Sequence, residues 1–185
     1  EWVSEKKIPH AVFYAFSTEN WRREKSEVEY LLTLFCETVK YLQAENEKRN
    51  ISVRVIGQRK DFSEPLQKAI SELEAMGKNK PAATVVWIAL SYGGRAELLT
   101  AINLAIAKGE SVDENTFTNL LWTAGMPDPD LIIRTGGEQR LSNFLPWQSI
   151  YSELFFISTC WPAFTKDEFE RILNGYAARE RRIGK

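Results

Sequence analysis

Residues 84–94 read TVVWIALSYGG, and this stretch indicates the architecture of the chain more clearly than any other. The first seven residues form a strongly apolar run, and a Ser-Tyr-Gly-Gly sequence follows them directly. A continuous apolar run of this length, ended by glycine, is typical of a strand that is buried on both faces. Such strands form parallel sheets that helices cover on each side.

Predicted strands and helices alternate along the whole chain. The predicted strands lie at residues 10–16, 51–56, 84–90, 131–133 and 154–157. The predicted helices lie at residues 26–49, 63–76, 95–108, 113–122 and 165–178. This alternation predicts an α/β fold with a mostly parallel central sheet flanked by helices.

Local signals predict where the helices begin and end. Capping boxes are predicted at Ser26 with Glu29 and at Thr165 with Glu168, and Gly77 and Gly109 are predicted to follow helix ends. Residues 1–7 are typical of the last turn of a helix, which Ile8-Pro9 would end. Because no repeat or linker interrupts the pattern, residues 1–185 are predicted to form one domain that begins within an element.

Composition excludes several classes of protein. The chain has 185 residues and a net charge of −1, which argues against a basic nucleic-acid binder. Two cysteines, Cys36 and Cys160, and one histidine, His10, are too few for a disulfide framework, a cysteine-rich zinc site or a multi-histidine metal site. No apolar run is long enough to span a bilayer. A reducing, cytoplasmic location is therefore expected.

Polar residues cluster directly after three of the predicted strands. The clusters are residues 17–23 (STENWRR), 92–95 (YGGR) and 134–143 (RTGGEQRLSN). In α/β folds, ligands bind outside the carboxyl ends of the strands, and parallel strands place those ends at one edge. The three clusters are therefore predicted to share one edge and to form a ligand site.

The third cluster suits a diphosphate. Arg134 and Arg140 flank two glycines and can each make bidentate contacts with phosphate oxygens, and Ser142 adds a hydroxyl donor. Glycines allow the backbone to turn tightly near a ligand. The same residues are equally compatible with a glycine turn that carries two solvated arginines, so residue types alone leave both interpretations open.

The other polar residues have competing structural explanations. Spacing alone favours a locally capped helix entry for Ser17, Glu19, Asn20 and Arg23, with Trp21 packing in or beside the core. Residues 92–95 lack the G-x-G-x-x-G pattern, which favours a simple strand-to-helix turn.

Acidic and basic residues near the C-terminus add two further candidates. Glu153 precedes a buried strand and, beside a diphosphate, could hold Mg²⁺, as could Glu138 unless it is merely solvated. The basic tail comprises Arg179, Arg181, Arg182 and Lys185. It is either a solvated helix end, which the helix dipole favours, or a segment that reaches a phosphate site, across a dimer for instance.

These clusters make the sequence resemble the cis-prenyltransferases, and most closely the bacterial undecaprenyl diphosphate synthases. The resemblance rests on residues 14–21 (YAFSTENW), on residues 92–95 (YGGR) and on the long block from Asp130 to Glu153. The ending RERRIG, residues 179–184, also resembles the end of these proteins. The similarity covers essentially the whole chain.

The resemblance implies a Mg²⁺-dependent homodimeric enzyme that adds isopentenyl diphosphate to an allylic diphosphate, usually farnesyl diphosphate. The expected product is a long-chain cis-polyprenyl diphosphate such as undecaprenyl diphosphate, the carrier lipid of cell-wall synthesis. The resemblance also fits a cytoplasmic protein that binds no nucleic acid and touches the inner face of the membrane to release its product.

The resemblance also implies roles for individual residues. Arg134, Arg140 and Ser142 would bind isopentenyl diphosphate, and Glu153 would help to bind Mg²⁺ across the dimer interface. The first cluster and the helix start after it would shape and close the site. Its catalytic residues would be Ser17, Glu19 and Asn20, with Asn20 near the step that removes a proton, and the others would be Trp21, Arg23 and Glu27. Arg182 and Gly184 would reach the diphosphate site of the partner.

One part of the family pattern is not in these residues. The N-terminal Asp-Gly-Asn loop followed by Arg-Trp-Ala, with its catalytic aspartate, first strand and first helix, does not occur in the sequence. The chain is therefore expected to be catalytically complete only with further N-terminal sequence. Two alternatives remain: a non-catalytic or truncated partner subunit of the same fold, and another phosphate-ester enzyme on an α/β sheet.

Overall fold

The computed structural model describes residues 1–49, 51–77 and 82–180, with the main chain alone over residues 45–49. The chain divides into two compact units, Glu1–Met126 and Pro127–Lys185. The single domain expected from the sequence stays a prediction.

The first unit contains three strands and five helices in its described residues. They are α1 (Trp2–Glu5), β1 (His10–Ser17), α2 (Lys25–Arg49), β2 (Ile51–Ile56), α3 (Glu64–Gly77), β3 (Thr84–Tyr92), α4 (Gly94–Lys108) and α5 (Glu114–Thr118). Short 3₁₀ helices follow β1 at Thr18–Arg22 and β2 at Arg59–Asp61. The element order matches the order predicted from the sequence.

The three strands form a parallel sheet in the order β1-β3-β2. Trp87 at the centre of β3 lies between Val12 of β1 and Arg54 of β2. Neighbouring parallel strands need crossover connections, which α2 and α3 supply. The strongly apolar stretch at residues 84–90 is therefore the central strand, as its composition predicts.

The hydrophobic core of this unit lies between the sheet and the helices α2 and α3. Its buried members are Phe16, Val28, Phe35, Val39, Val53, Val55, Phe62, Leu66, Ile70, Leu73 and Leu90. The α2 members recur at helical spacing and face the sheet together. The helix α2 therefore covers the sheet with one apolar face.

Several boundaries differ from the sequence predictions. The helix α2 begins at Lys25, so the capping box predicted at Ser26 is wrong, and Gly77 is the last residue of α3 rather than the residue after it. The helix predicted to reach Trp122 ends at Thr118, although Asp113 caps it as expected. Hydrogen bonds from Thr116, chiefly its backbone N–H, lower the pKa of the Asp113 carboxyl.

The strand β1 is less buried than its apolar sequence predicts. Phe16 is buried, but Phe13 is 37 % exposed. Within the described residues β1 pairs only with β3, so it is an edge strand of this sheet.

The opposite edge strand, β2, has its backbone covered by side chains at Val55. The Val55 N–H donates to Glu74 Oε1 at 2.8 Å, and the Arg59 guanidinium donates to the Val55 carbonyl at 3.0 Å.

The second unit is built on a parallel pair of short strands, β4 (Leu131–Arg134) and β5 (Glu153–Phe156), followed by α6 (Lys166–Ala177). Leu131 lies opposite Glu153, and Arg134 lies opposite Phe156. The Thr165 hydroxyl accepts from the Glu168 N–H at 3.3 Å, which confirms one half of the capping box predicted for α6. The Glu168 side chain accepts instead from the Thr159 hydroxyl at 2.8 Å. All strand pairs of the protein's described residues are therefore parallel.

The described residues include both cysteines of the chain. Cys36 and Cys160 are both free thiols. Helices long and apolar enough to cross a bilayer are absent from the described parts of the chain.

Candidate active site

The first polar cluster forms a 3₁₀ turn at the carboxyl end of β1. The Ser17 N–H donates to Asn20 Oδ1 at 2.8 Å, so the Asn20 side chain closes the turn at its start. Arg23 pairs with Glu27 at 2.6 Å, and both side chains are 48 % exposed. The local capping predicted for this segment is therefore present, and it places the polar side chains at the edge of the sheet.

Trp21 joins this turn to the rest of the unit. The centroid of its ring lies 5.1 Å from that of Phe16, in an edge-to-face contact, and 5.8 Å from that of Phe62. Its indole N–H donates to Ser91 Oγ at 2.8 Å. The expected packing role is therefore present, together with a polar contact that the sequence did not predict.

The second cluster lies beside the first, as predicted, because Ser17 is in register with Tyr92 at the ends of β1 and β3. The Tyr14 hydroxyl donates to the Tyr92 carbonyl at 3.1 Å. The Tyr92 hydroxyl donates to Glu97 at 2.6 Å, and Glu97 also accepts from the N–H and the hydroxyl of Thr123 at 2.9 Å. Glu97 is thus a buried carboxylate that ties the start of α4 to the segment that follows α5.

The third cluster brings three predicted binding residues together at the end of β4. The Arg134 guanidinium donates to Ser142 Oγ at 2.9 Å and to the carbonyl of Arg140. Arg140 in turn pairs with Glu138 through its guanidinium. Arg134 at the end of β4 and Arg140 in the following loop are thus close together, because the Arg134 side chain is hydrogen-bonded to that loop.

The two glycines of this loop have a structural role. Gly136 and Gly137 have φ values of 88° and 79°, which favour glycine. Their N–H groups donate to the carbonyls of Thr159 and Ile157 at 2.9 and 2.8 Å. These amides therefore anchor the loop to the segment after β5 and are not available to a ligand.

Glu153, the predicted metal ligand, is the first residue of β5 and forms an ion pair with Arg179. The Arg179 guanidinium also lies 4.2 Å from the centroid of the Phe155 ring. Among the described residues no group of three His, Cys, Asp or Glu side chains forms a ready metal site. A single carboxylate fits Mg²⁺ only together with phosphate oxygens and water.

The structure leaves some predictions open. Arg182 and Gly184 lie outside the described residues. The third cluster belongs to the second unit, so its predicted meeting with the other two clusters stays a prediction. His10 Nδ1 accepts from the Trp87 indole N–H at 3.2 Å, so the histidine of β1 is hydrogen-bonded within the sheet.

Sequence reasoning missed one group at the same edge of the first unit. Asp61, in the turn after β2, accepts from the Ser91 hydroxyl at 2.5 Å. The available signal was the position of Asp61, since β2 is parallel to the other strands and the segment after it must reach the same edge. A separate polar cleft lined by His10, Arg54, Glu74 and Trp122 contains none of the predicted site residues.

Comparison with known proteins places these features in a family. Residues 1–184 match the family model described as putative undecaprenyl diphosphate synthase. An isoprenyl transferase of Thermotoga maritima is 41 % identical over 100 % of this chain and 81 % of its own length. The ditrans,polycis-undecaprenyl-diphosphate synthase of Micrococcus luteus, named as specific for (2E,6E)-farnesyl diphosphate, is 39 % identical over 99 % of this chain and 76 % of its own.

A solved structure agrees with the sequence comparison. Lavandulyl diphosphate synthase from Lavandula x intermedia, in complex with dimethylallyl diphosphate, covers 100 % of this chain and 82 % of its own, with a TM-score of 0.92 and 30 % identity. The parallel strands, the arginine loop after β4 and the polar turn after β1 are thus parts of a fold shared with enzymes of prenyl diphosphate chemistry. The chain belongs to the prenyltransferase family of the undecaprenyl diphosphate synthases.

Proposed function

We propose that this prenyltransferase condenses isopentenyl diphosphate with an allylic diphosphate, such as farnesyl diphosphate, and repeats the step to give a long cis-polyprenyl diphosphate such as undecaprenyl diphosphate. The observation that carries the proposal is the loop after β4, where Arg134 is hydrogen-bonded to Ser142 and to the Arg140 carbonyl. Guanidinium forks match diphosphate oxygens in geometry and charge. No finding favours the alternative of a non-catalytic partner subunit.

The reaction places defined demands on the site. The bond from carbon 1 of the allylic substrate to its diphosphate breaks, and the double bond of isopentenyl diphosphate forms the new carbon–carbon bond at that carbon. A proton then leaves carbon 2 of the added unit, so the products are a diphosphate longer by one unit, inorganic diphosphate and a proton. Preorganised positive charge lowers the barrier because negative charge develops on the departing diphosphate.

Arg134, Arg140 and Ser142 are proposed to hold the diphosphate of isopentenyl diphosphate. The link from Arg134 to Ser142 spans eight residues of one loop, so the two donors stay together without a ligand. Arg140 is 61 % exposed and pairs with Glu138, a contact that an incoming diphosphate would replace. Arg182 and Gly184 are proposed to complete a diphosphate site from the C-terminal tail.

The turn after β1 is proposed to serve the allylic substrate and the proton step. Asn20 Oδ1 already accepts from the Ser17 N–H, so the group proposed to face substrate is the Asn20 amino group, a donor. A donor there would orient a diphosphate oxygen, and that oxygen is basic enough to accept the proton. Glu19, Trp21 and Arg23 would shape the same edge.

Mg²⁺ is proposed to bind with the diphosphate at Glu153. The residues fit this role only in part, because Glu153 supplies one carboxylate and is already paired with Arg179. A cation that arrives with phosphate oxygens needs no more than one or two protein carboxylates. When bound, Mg²⁺ supplies positive charge for a departing diphosphate.

We also propose that the protein is a cytoplasmic homodimer that binds no nucleic acid and touches the membrane only to release product. Two free thiols suit a reducing compartment.

The proposed dimer contact is an exposed apolar stripe on α4, formed by Leu99, Ile102 and Ile106. Light scattering should give twice the chain mass for the wild type, and Ile106→Lys should shift that mass towards the monomer if α4 is the contact.

The central experiment measures incorporation of labelled isopentenyl diphosphate into lipid-extractable product, with farnesyl diphosphate and Mg²⁺ present. Incorporation that needs both substrates and is lost in Arg134→Ala supports the proposal. Calorimetric titration with isopentenyl diphosphate and with a nucleotide separates the remaining classes. Tight binding of the nucleotide alone would favour another phosphate-ester enzyme, and a folded chain that binds neither substrate would favour a partner subunit.

A further inference from the structure

Two hydrogen bonds link the carboxyl ends of all three strands of the first unit. The Trp21 indole N–H donates to Ser91 Oγ at 2.8 Å, and the Ser91 hydroxyl donates to Asp61 Oδ2 at 2.5 Å. Trp21 follows β1, Ser91 lies near the end of β3 and Asp61 follows β2. We call this chain of bonds the Trp21–Ser91–Asp61 relay.

The direction of the relay is fixed by chemistry. An indole nitrogen can only donate, and an ionised carboxylate can only accept, so Ser91 must accept from Trp21 and give its single proton to Asp61. Ser91 is fully buried. If Asp61 were removed, the Ser91 hydroxyl would lose the acceptor for a proton that has no contact with water, which is costly.

Ser91 also has a backbone conformation that is unusual for a residue other than glycine. Its φ is 46°, in the left-handed region. Conformations of this kind persist where the surroundings hold them, and they concentrate at functional sites. Here the Gln58 N–H donates to the Ser91 carbonyl at 3.1 Å, so the turn after β2 holds the residue from the backbone as well.

The turn that carries Asp61 is anchored independently of the relay. Gly57 has a φ of 125°, and a Cβ at this position would collide with the carbonyl oxygen of Leu90. The two chain segments therefore touch backbone to backbone, and only glycine allows it. Asp61 is thus fixed to the frame of the sheet, whereas Trp21 belongs to the 3₁₀ turn that carries the polar side chains.

Ring packing and one hydrogen bond together hold Trp21. Its ring meets Phe16 edge to face and Phe62 at a tilt, and the N–H bond to Ser91 fixes which edge of the indole faces β3. Trp21 directly follows Asn20, whose side chain closes the turn on Ser17. The indole bond therefore ties residues 17–23 to β3, in addition to the bond that closes the turn on Ser17.

We propose that Asp61 and Ser91 are positioning residues of the prenyl-transfer site, which act through Trp21 to hold residues 17–23 in their working orientation. The proposal rests on the proposed function, because that turn is assigned there to the allylic substrate and the proton step. Neither residue touches substrate in this account.

The test compares Asp61→Ala with Asp61→Asn and with Lys60→Ala. Asn keeps an oxygen that accepts from Ser91, whereas Ala removes it, and Lys60 is an exposed neighbour in the same 3₁₀ helix. Asp61→Ala should lower kcat/KM for the allylic diphosphate by about tenfold, since hydrogen bonds to charged groups are of that strength. Asp61→Asn should recover most of the loss, and Lys60→Ala should match the wild type.

A double-mutant cycle with Trp21→Phe tests whether the effect passes through the indole. Phe keeps an aromatic ring but lacks the N–H donor, so Asp61→Ala should lower kcat/KM much less in that background than in the wild type. Ser91→Ala should behave as Asp61→Ala does. Fully multiplicative effects of Asp61→Ala and Trp21→Phe, or wild-type kinetics for Asp61→Ala, would overturn the proposal.

A readout without turnover separates this proposal from the proposed function. Amide hydrogen exchange should become several-fold faster over residues 17–23 in Asp61→Ala, with the exchange of α3 unchanged. If the wild type lacked condensing activity but showed this pattern, the relay would stand and the proposed function would fall. Equal exchange in Asp61→Ala and the wild type would refute the relay whatever the activity.

Discussion

Arg179 and Glu153 form an ion pair that connects the residues after α6 to the start of β5. The Glu153 side chain is 26 % exposed and that of Arg179 is 43 % exposed, so the pair lies partly in water. The pairing means that the proposed Mg²⁺ ligand is not an isolated negative charge in this structure. A cation at Glu153 must compete with the Arg179 guanidinium for the carboxylate. We expect the cation to bind most tightly when a diphosphate is present, because Arg179 can then pair with the diphosphate.

Replacing Glu153 should therefore alter the metal dependence of activity. Glu153→Gln keeps the shape of the side chain but removes its charge, so the Mg²⁺ concentration that gives half-maximal activity should rise by about tenfold. Titration of activity with MgCl₂ at saturating substrates measures this value. Glu138→Gln tests the other acidic candidate, and Glu110→Gln is an exposed control in the first unit. An unchanged titration for Glu153→Gln would remove this residue from the metal site.

Replacing Arg134 should weaken binding of isopentenyl diphosphate. Arg134→Ala removes a charged donor and frees Ser142 from its hydrogen bond, so KM for isopentenyl diphosphate should rise by about 10- to 100-fold. Steady-state kinetics and calorimetric titration measure the effect. Arg171→Ala is the matched control, because Arg171 is a 76 % exposed arginine on α6 that pairs only loosely with Glu168, at 3.6 Å. Equal KM values for the wild type and Arg134→Ala would exclude this loop from substrate binding.

Glu97 should contribute to stability more than a surface carboxylate does. Its side chain is 1 % exposed and accepts from the Tyr92 hydroxyl and from two groups of Thr123. Glu97→Ala leaves these buried donors without their acceptor and should lower the free energy of unfolding by about 3 kcal/mol or more. Glu97→Gln retains an acceptor and should cost roughly half as much. Urea denaturation measures the free energy of unfolding of each variant. Similar losses for Glu97→Ala and Glu97→Gln would contradict the prediction.

The two glycines Gly57 and Gly109 offer a matched pair for backbone strain. Both have positive φ values, 125° and 67°, but a Cβ at Gly57 would meet the Leu90 carbonyl, whereas a Cβ at Gly109 would meet nothing within 4 Å. Gly109→Ala should therefore cost about 1–2 kcal/mol from its left-handed conformation alone. Gly57→Ala should cost clearly more, above about 3 kcal/mol, because the backbone must also shift. Thermal unfolding of the two variants measures these losses of stability. Equal losses for Gly57→Ala and Gly109→Ala would contradict the close approach of Gly57 to the Leu90 carbonyl.

The order and type of the elements were predictable because the apolar pattern of each one is strong. The composition of residues 84–90 predicts a buried strand, and in the structure these residues lie in the central strand of the sheet. Boundaries were less predictable, as α2 shows: Ser26 with Glu29 has the spacing of a cap, but the helix starts one residue before Ser26. Helix ends depend on tertiary contacts as much as on local signals.

The candidate site was predictable where its residues are adjacent in sequence. Arg134, Arg140 and Ser142 occur in one loop, and the structure brings them together. The partners of Trp21 and Glu153 were not predictable, since Ser91 and Arg179 lie 70 and 26 residues away along the chain. Hydrogen bonds over such separations depend on strand register, which a single sequence does not specify.

The covering of Val55 by Glu74 and Arg59 protects the β2 edge of the first unit's sheet against the addition of another strand. At that point of β2 both backbone groups are already bonded to side chains, so an incoming strand would have to break an ion pair to dock there. The side chains of Glu74 and Arg59 therefore oppose the pairing of a further strand with β2 at this position. An extended segment of another polypeptide is therefore not expected to pair with β2 at Val55 while the Arg59–Glu74 ion pair is intact.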